Sequence, residues 1–366
     1  MQKVIVHILM FLFMGCCWVG CEAIDDTLPS EPVKVNLQLS VATAEMAGTA
    51  STRAYNYELP ACDGEMIQTL RIIIVRPGSI VEHNKYYDLT TPTPQTGYYQ
   101  FQVVAEETKQ IYFIVNENAQ KKGTAGNLEK IVNYNFDGIA EGTTFNKDAI
   151  EALTVSVNQG SDQLRSGDTD AGVLIPMNER YTVYVGTTDV TQTYYVTRVA
   201  TKFTYIIKNA SSSPCTLSNI AINKMASKAY FFPQGEISYT SVSDEYNTLG
   251  QMDLTNYTVP LQATNGYYTF SQSYNQTIGG NSEKTLSSIY LLEGRYEDTQ
   301  SDNTQNKYNT TLTINGAELT ADFPELEQLP RNTHVVVIVT IKERSHSWTV
   351  DLRPYAEVDL RPGFGI

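Results

Sequence analysis

Val33-Lys34-Val35-Asn36-Leu37-Gln38-Leu39-Ser40-Val41 carries an apolar side chain at every odd position and a polar one at every even position. A strand points successive side chains to opposite faces, so this alternation predicts a half-buried β-strand. The following residues, 42–53, are small or polar and lack a strong period, which predicts an exposed, protease-accessible loop. Arg53 stands there between Thr52 and Ala54. A strand with a cleavable stretch behind it invites the idea that it is placed first and removed later.

The segment ahead of the strand reads as a targeting signal and is kept apart from the fold. Lys3 supplies a positive start, and residues 4–14 are apolar apart from His7, too short a run to span a bilayer stably. The segment ends Trp18-Val19-Gly20-Cys21. A small residue before a Cys resembles a bacterial lipobox, with Trp18 where Leu is usual. Cys21 is the candidate for lipidation (palmitate), Cys16 is a second one, and an ordinary secretory signal peptide is the alternative. The acidic run Glu22-Ala23-Ile24-Asp25-Asp26 resembles the surface-export signal of Bacteroidetes lipoproteins, which implies a surface-exposed outer-membrane location.

A length of 366 residues suggests two domains. The net charge of −14 argues against nucleic acid and anionic lipid headgroups, which both select basic patches. Twenty-four Tyr against 2 Trp, with abundant Thr and Val, suit pleated, half-buried surfaces and predict an all-β fold with a few short helices. Cys62 and Cys215 are the cysteines left after the signal, and two isolated thiols are expected of them.

Along the chain, strands are expected at residues 69–76, 98–105 and 110–115, and short helices or structured loops within 123–152, where 127–132 and 147–153 have helix-compatible spacing. Residues 194–208 read as one long β-rich run, 217–224, 228–232, 267–271 and 288–292 as strands, and 234–256 and 293–309 as polar loops. Thr333 to Lys342 is the most apolar strand, expected to be central and covered on both faces. Gly97-Tyr98-Tyr99-Gln100-Phe101 echoes Gly266-Tyr267-Tyr268-Thr269-Phe270, as two related β-sandwich domains would produce.

At the far end, every even position from Trp348 to Phe364 is apolar or Pro. Pro354 and Pro362 remove backbone donors, so a strand to about Leu352 is expected, then an extended segment able to leave its domain. An alternating tail and a removable alternating strand are complementary, because removing a strand leaves unpaired backbone and bare core that another strand can cover. Both ends pairing within their own domains is the simpler alternative.

No catalytic or phosphate-binding motif is present, and the four His are scattered. Asp168-Thr169-Asp170 reads as a solvated loop sooner than as a calcium-loop fragment. The Tyr pairs at 86–87, 98–99, 194–195 and 267–268 offer stacking surfaces to sugars, though one Tyr of each pair is expected to point into the core. No cofactor and no enzymatic activity are expected.

Several segments in order carry a resemblance: Thr52-Arg53-Ala54, Ile114-Val115-Asn116-Glu117, Ile175-Pro176-Met177, Arg198-Val199-Ala200-Thr201-Lys202, Ile289-Tyr290-Leu291-Leu292-Glu293 and Arg331-Asn332-Thr333-His334. With the lipobox-like start, they make the chain resemble the fimbrillins of Bacteroidales, the lipoprotein precursors of type V pili. The resemblance implies two tandem transthyretin-like β-sandwiches, at 54–192 and 193–366, after a signal of 1–21 and a propeptide of 22–53. It also implies an arginine-specific protease that cuts between Arg53 and Ala54. The leaving strand would present Val33, Val35, Leu37, Leu39 and Val41. A donor strand at about 355–364, with Ala356, Val358, Leu360 and Phe364, would pass to another fimbrial subunit. The alternative is a monomeric or anchor-type surface lipoprotein that keeps its first strand and binds glycan or host protein.

Overall fold

The computed structural model describes residues 31–46, 62–123, 126–243, 248–253, 257–260, 267–295, 308–323, 328–343 and 345–353. Nearly all of them lie in strands or the turns between strands, and two curled nine-stranded sheets organise the chain as two β-sandwiches.

The first sheet takes β1 (Lys34–Met46), β2 (Ile67–Arg76), β3 (Ile80–Thr93), β4 (Tyr99–Val104) and β5 (Glu107–Val115). A small hairpin of β6 (Gln120–Lys122) and β7 (Leu128–Lys130), the one-turn helix α1 (Lys147–Glu151) and β8 (Thr154–Ser156) follow, and then β9 (Met177–Val185) and β10 (Val190–Arg198) return to the sheet. Its path runs β3-β2-β5-β9-β10-β1, with β4 on the other side of β1, and the two strands of a hairpin within 238–253 continue it from the end of β1 as its eighth and ninth strands. The sheet curls at β10, whose start pairs with β1 and whose end pairs with β9. The β4-β1-β10 layer thereby faces the β2-β5 layer. Val35, Leu37, Leu39 and Val41 pack with Phe101, Val103 and Tyr194 against Leu70, Ile72, Ile74, Ile111 and Phe113.

The outer faces of β2 and β5 are buried too, with Ile73, Val75, Tyr112 and Ile114 in a second core shared with the 131–175 segment and the other sheet. Burial on both faces explains the unbroken apolar run Ile72-Ile73-Ile74-Val75.

The second sheet begins with β11 (Ala200–Asn209) and β12 (Cys215–Ala226). Next come the short β13 (Lys228–Tyr230), which pairs with β8, and the hairpin β14 (Ser238–Ser243) and β15 (Thr248–Asp253). The strands β16 (Tyr267–Ile278), β17 (Ser282–Thr285), β18 (Ile289–Leu292), β19 (Gly294–Arg295), β20 (Asn309–Ile314), β21 (Ala317–Asp322), β22 (Gln328–Leu329), β23 (His334–Ile341) and β24 (His346–Arg353) complete the described chain. β18 pairs with both β11 and β12 and joins the two layers of this sandwich. Its core sets Leu217, Ile220, Phe270 and Leu312 against Phe203, Tyr205, Val335 and Val337. β23 lies between β11 and β24, and Val335 to Val339 are buried, as its composition predicts.

The structure corrects several sequence expectations. Residues 42–46 continue β1 instead of opening a loop, and Ala42, Thr43 and Ala44 are fully buried. Within the stretch expected to be a polar loop, 238–253 forms the β14–β15 hairpin, and β15 pairs with the end of β1. The single run at 194–208 is two strands in different sheets, with the change at Val199; residues 192 and 193 lie inside β10. Residues 128–130, where a short helix or structured loop is expected, form a strand, because Gly126 takes a left-handed φ of 77° that turns a hairpin back onto 120–122. Tyr194 and Tyr195 are both buried, one against each face of β10. Cys62 and Cys215 are free thiols, as expected.

Candidate strand-exchange site

β1 sits inside the sheet. It pairs antiparallel with β4 from Lys34↔Val104 to Leu39↔Tyr99, and parallel with β10 from Leu37↔Val190 to Thr43↔Val196. Beyond Leu39 the β4 side passes to the 94–96 segment. The Thr43 N–H donates to the Pro94 carbonyl at 2.9 Å, the Thr96 N–H to the Val41 carbonyl at 2.9 Å, and the Ser40 hydroxyl to the Thr96 carbonyl at 2.8 Å. β15 extends the far end in parallel, Ala44↔Gly250 to Met46↔Met252.

The side chains divide as the alternation predicts. Val35 is 6 % exposed, and Leu37, Leu39 and Val41 are 0 % exposed. Val33, just before β1, is 60 % exposed and contributes no core contact. Full burial of an aliphatic side chain stabilises by about 1.5–3 kcal/mol, so these four contribute roughly 6–12 kcal/mol. A whole domain typically holds only about 5–15 kcal/mol. The slot therefore needs an occupant.

On the outer face, Asp189 fixes the start of the strand. Its carboxylate accepts from the Asn36 backbone N–H at 2.8 Å and from the Asn36 side-chain amide at 3.0 Å. These bonds, the side-chain one foremost, hold the Asp189 carboxyl below its ordinary value. The Gln100 amide donates to Asn36 Oδ1 at 2.9 Å, and the Thr191 hydroxyl to Gln38 Oε1 at 3.2 Å.

The end of β1 is held by Arg198, the last residue of β10, and by Asn332, just ahead of β23 in the second sheet. The Ala44 carbonyl accepts from Asn332 Nδ2 at 2.7 Å and from Arg198 Nη1 at 3.3 Å. Arg198, 1 % exposed, also donates from Nη1 to Asn332 Oδ1 at 3.1 Å and from Nε to the Glu65 carbonyl at 2.9 Å. Asn332 adopts the left-handed φ of 61°, which Asn tolerates better than most residues. The Glu65 carboxylate meets Lys202 Nζ at 2.9 Å and accepts from the Tyr290 hydroxyl at 2.8 Å. Nearby, Arg331 pairs with Glu293 and donates to the Phe231 and Tyr230 carbonyls, both at 2.6 Å. Each buried charge in this junction has a partner, as such charges must to persist away from water.

The β14–β15 hairpin closes over the small residues of β1. Tyr195 reaches up to it, its hydroxyl 2.5 Å from Ser241 Oγ and its ring 5.7 Å from the Tyr239 ring. A Cβ at Gly250 would lie 2.4 Å from the Tyr195 ring, so only glycine fits there. The Tyr239 hydroxyl donates to the buried Glu179 carboxylate.

Of the predicted site residues, Val35, Leu37, Leu39 and Val41 are brought together in one core, and Val33 lies outside it. Cys21, Arg53, Ala54, Ala356, Val358, Leu360 and Phe364 lie outside the described residues. Sequence reasoning missed the clamp on Ala44, although it quoted the segments holding Arg198 and Asn332.

No protein-family profile and no curated protein sequence matches the chain. Solved structures do resemble it. The tip fimbrial protein Mfa3 from Porphyromonas gingivalis, with a C-terminal truncation, aligns over 87% of this chain and 99% of its own at 10% identity, with a TM-score of 0.49. A fimbrilin from Porphyromonas gingivalis W83 aligns over 90% and 99% at 13% identity, with a TM-score of 0.47. A fimbrial assembly protein from Parabacteroides distasonis aligns over 87% and 96% at 10% identity, with a TM-score of 0.41.

Proposed function

We propose that the chain is the precursor of a structural subunit of a cell-surface fimbria. It is exported to the outer membrane with a lipid on Cys21. An arginine-specific protease cuts between Arg53 and Ala54, which frees the propeptide with β1. A neighbouring subunit then fills the slot with its 355–364 segment, whose Ala356, Val358, Leu360 and Phe364 lie on alternate positions as the departing side chains do, with Pro362 between the last two. The propeptide of 22–53 and two sandwich units, 54–192 and 193–366, belong to the same reading.

The observation that carries this reading is the position of β1. It is an interior strand, close to the start of the chain, that fills a slot between β4 and β10 with four core side chains. The larger core, shared by the two sheets, contains no β1 residue. Departure of β1 thus opens one core and leaves the other intact, which is what a subunit that stays folded between processing and assembly requires.

The clamp on Ala44 favours a second reading, in which the strand is retained: an anchor-type or monomeric surface lipoprotein. N-terminal sequencing and mass measurement of protein sheared from the cell surface separates the two. A start at Ala54, lost together with filaments in Arg53→Ala, is expected of the polymerising subunit. A blocked, lipidated start at Cys21 refutes processing and favours the anchor.

A further inference from the structure

A cleft of about 380 Å³ opens on the first sandwich, away from the β1 slot, where β2, β3, the turn after β5, β7 and the 131–139 segment meet. Arg71 forms part of its lining. This side chain is 3% exposed and fixed by two 2.7 Å bonds to the Glu117 carboxylate and one of 2.6 Å to Asp137. Its guanidinium lies 5.2 Å from the centre of the Tyr86 ring, which holds that ring in place while Tyr86 stays 38% exposed. The Asn118 amide donates to the Tyr86 hydroxyl at 3.3 Å. Tyr134 adds a second ring, 4.9 Å from Phe136.

The polar groups left over define the ligand. The exposed side-chain amides of Asn133 and Asn135 line the cleft, and neither makes a hydrogen bond to another described residue. Asp137 uses one oxygen on Arg71 and is otherwise 79% exposed. The charged lining groups, Arg71 and Lys130 against Glu117 and Asp137, cancel. A cleft with no net charge does not select an anion or a cation. Fixed aromatic faces beside free amides suit a molecule with weakly polarised C–H faces and many hydroxyls, because the ring face attracts C–H groups and planar amides pair with adjacent hydroxyls.

We propose that this cleft binds a neutral saccharide, one or two rings long, with a C–H face on Tyr86 and hydroxyls bonded to Asn133, Asn135 and Asp137. The site stands apart from the β1 slot and does not depend on strand exchange.

The test is a printed array of neutral and sialylated oligosaccharides, probed with the full chain and its variants, with neutral hits then titrated in solution. Wild type is expected to retain neutral saccharides. Asn133→Ala/Asn135→Ala, which removes no bond between described residues, should weaken binding about tenfold. Tyr86→Ala should weaken it at least as much, while Tyr184→Ala, an exposed tyrosine outside the cleft, should leave it unchanged. Retention of no neutral saccharide, a preference for the sialylated ones, or undiminished binding by the double Asn variant overturns the proposal.

Discussion

Leu37→Ala separates a strand that stays from a strand that leaves. Leu37 is fully buried near the start of β1, where β1 has a partner strand on each side: it is paired with Phe101 on one and Val190 on the other. Truncation removes its transfer free energy and leaves a cavity between two sheet layers that β4 and β10 hold apart, so the site collapses poorly. A buried Leu→Ala change of this kind costs about 3 kcal/mol. With a urea dependence of roughly 3 kcal/mol per molar for a chain of this size, the midpoint of the precursor should fall by about 1 M. The measurement is urea unfolding followed by far-UV circular dichroism, on the purified precursor and on protein sheared from the surface. The precursor should show the shift, and the sheared protein should show none, because residue 37 is gone and a neighbour's strand fills the slot. An unchanged precursor midpoint refutes the docking of β1. A shift that persists in the sheared protein refutes its removal.

Three further outcomes follow from the junction. Asn332→Gly keeps the left-handed backbone and removes one of the two side chains bonded to the Ala44 carbonyl; it should cost about 1–3 kcal/mol and raise amide exchange at 43–46 ahead of global unfolding, read by mass spectrometry. Gly250→Ala drives a Cβ into the Tyr195 ring and should undock the β14–β15 hairpin, seen as faster proteolysis within 238–253 with the rest of the chain still resistant. Burial pushes the Glu179 carboxyl up from 4.5 to about 7, against the Tyr239 and Arg180 hydrogen bonds and the Arg331 and Arg180 charges that favour ionisation. The folded state then holds a proton that the unfolded state has lost between those values, so stability falls as pH rises from 4.5 to 7 and is level above. Relative to Glu179→Gln, wild type should gain about 3 kcal/mol between neutral and acid pH, and parallel melting curves for the two proteins would refute the assignment.

The fold was legible where one face of a strand is buried and the other wet. Val33 to Val41 shows that pattern, and only its ends were misplaced. The stretch 42–46 escaped because Ala42 and Ala44 are small and covered on both faces, and their cover, the β14–β15 hairpin, is itself polar enough to look like a loop. These two errors have one cause, since each segment's burial depends on the other. The break at Val199 escaped for the opposite reason. Residues 194–207 are buried on both faces, so no change in period marks where the chain leaves one sheet for the other. Of the candidate site, the four core residues could be read directly. The clamp could not, because Glu65, Arg198 and Asn332 lie more than a hundred residues apart and have no local period. In the cleft, Tyr86 alone drew notice as a possible stacking surface, and the free amides beside it give no signal in an Asn-rich loop.

The setting of β1 between two partners has a mechanical consequence. It is laced by six residue pairs to β4 and seven to β10. A strand pulled lengthwise from such a slot loads both ladders in shear, so many hydrogen bonds must yield together. The same strand peeled from an open edge would release them one pair at a time. Resistance to force is set by the rate of that concerted step, not by equilibrium stability. A filament joined through this slot would bear tension along its axis while each joint, at rest, had been no harder to assemble than any other strand pairing.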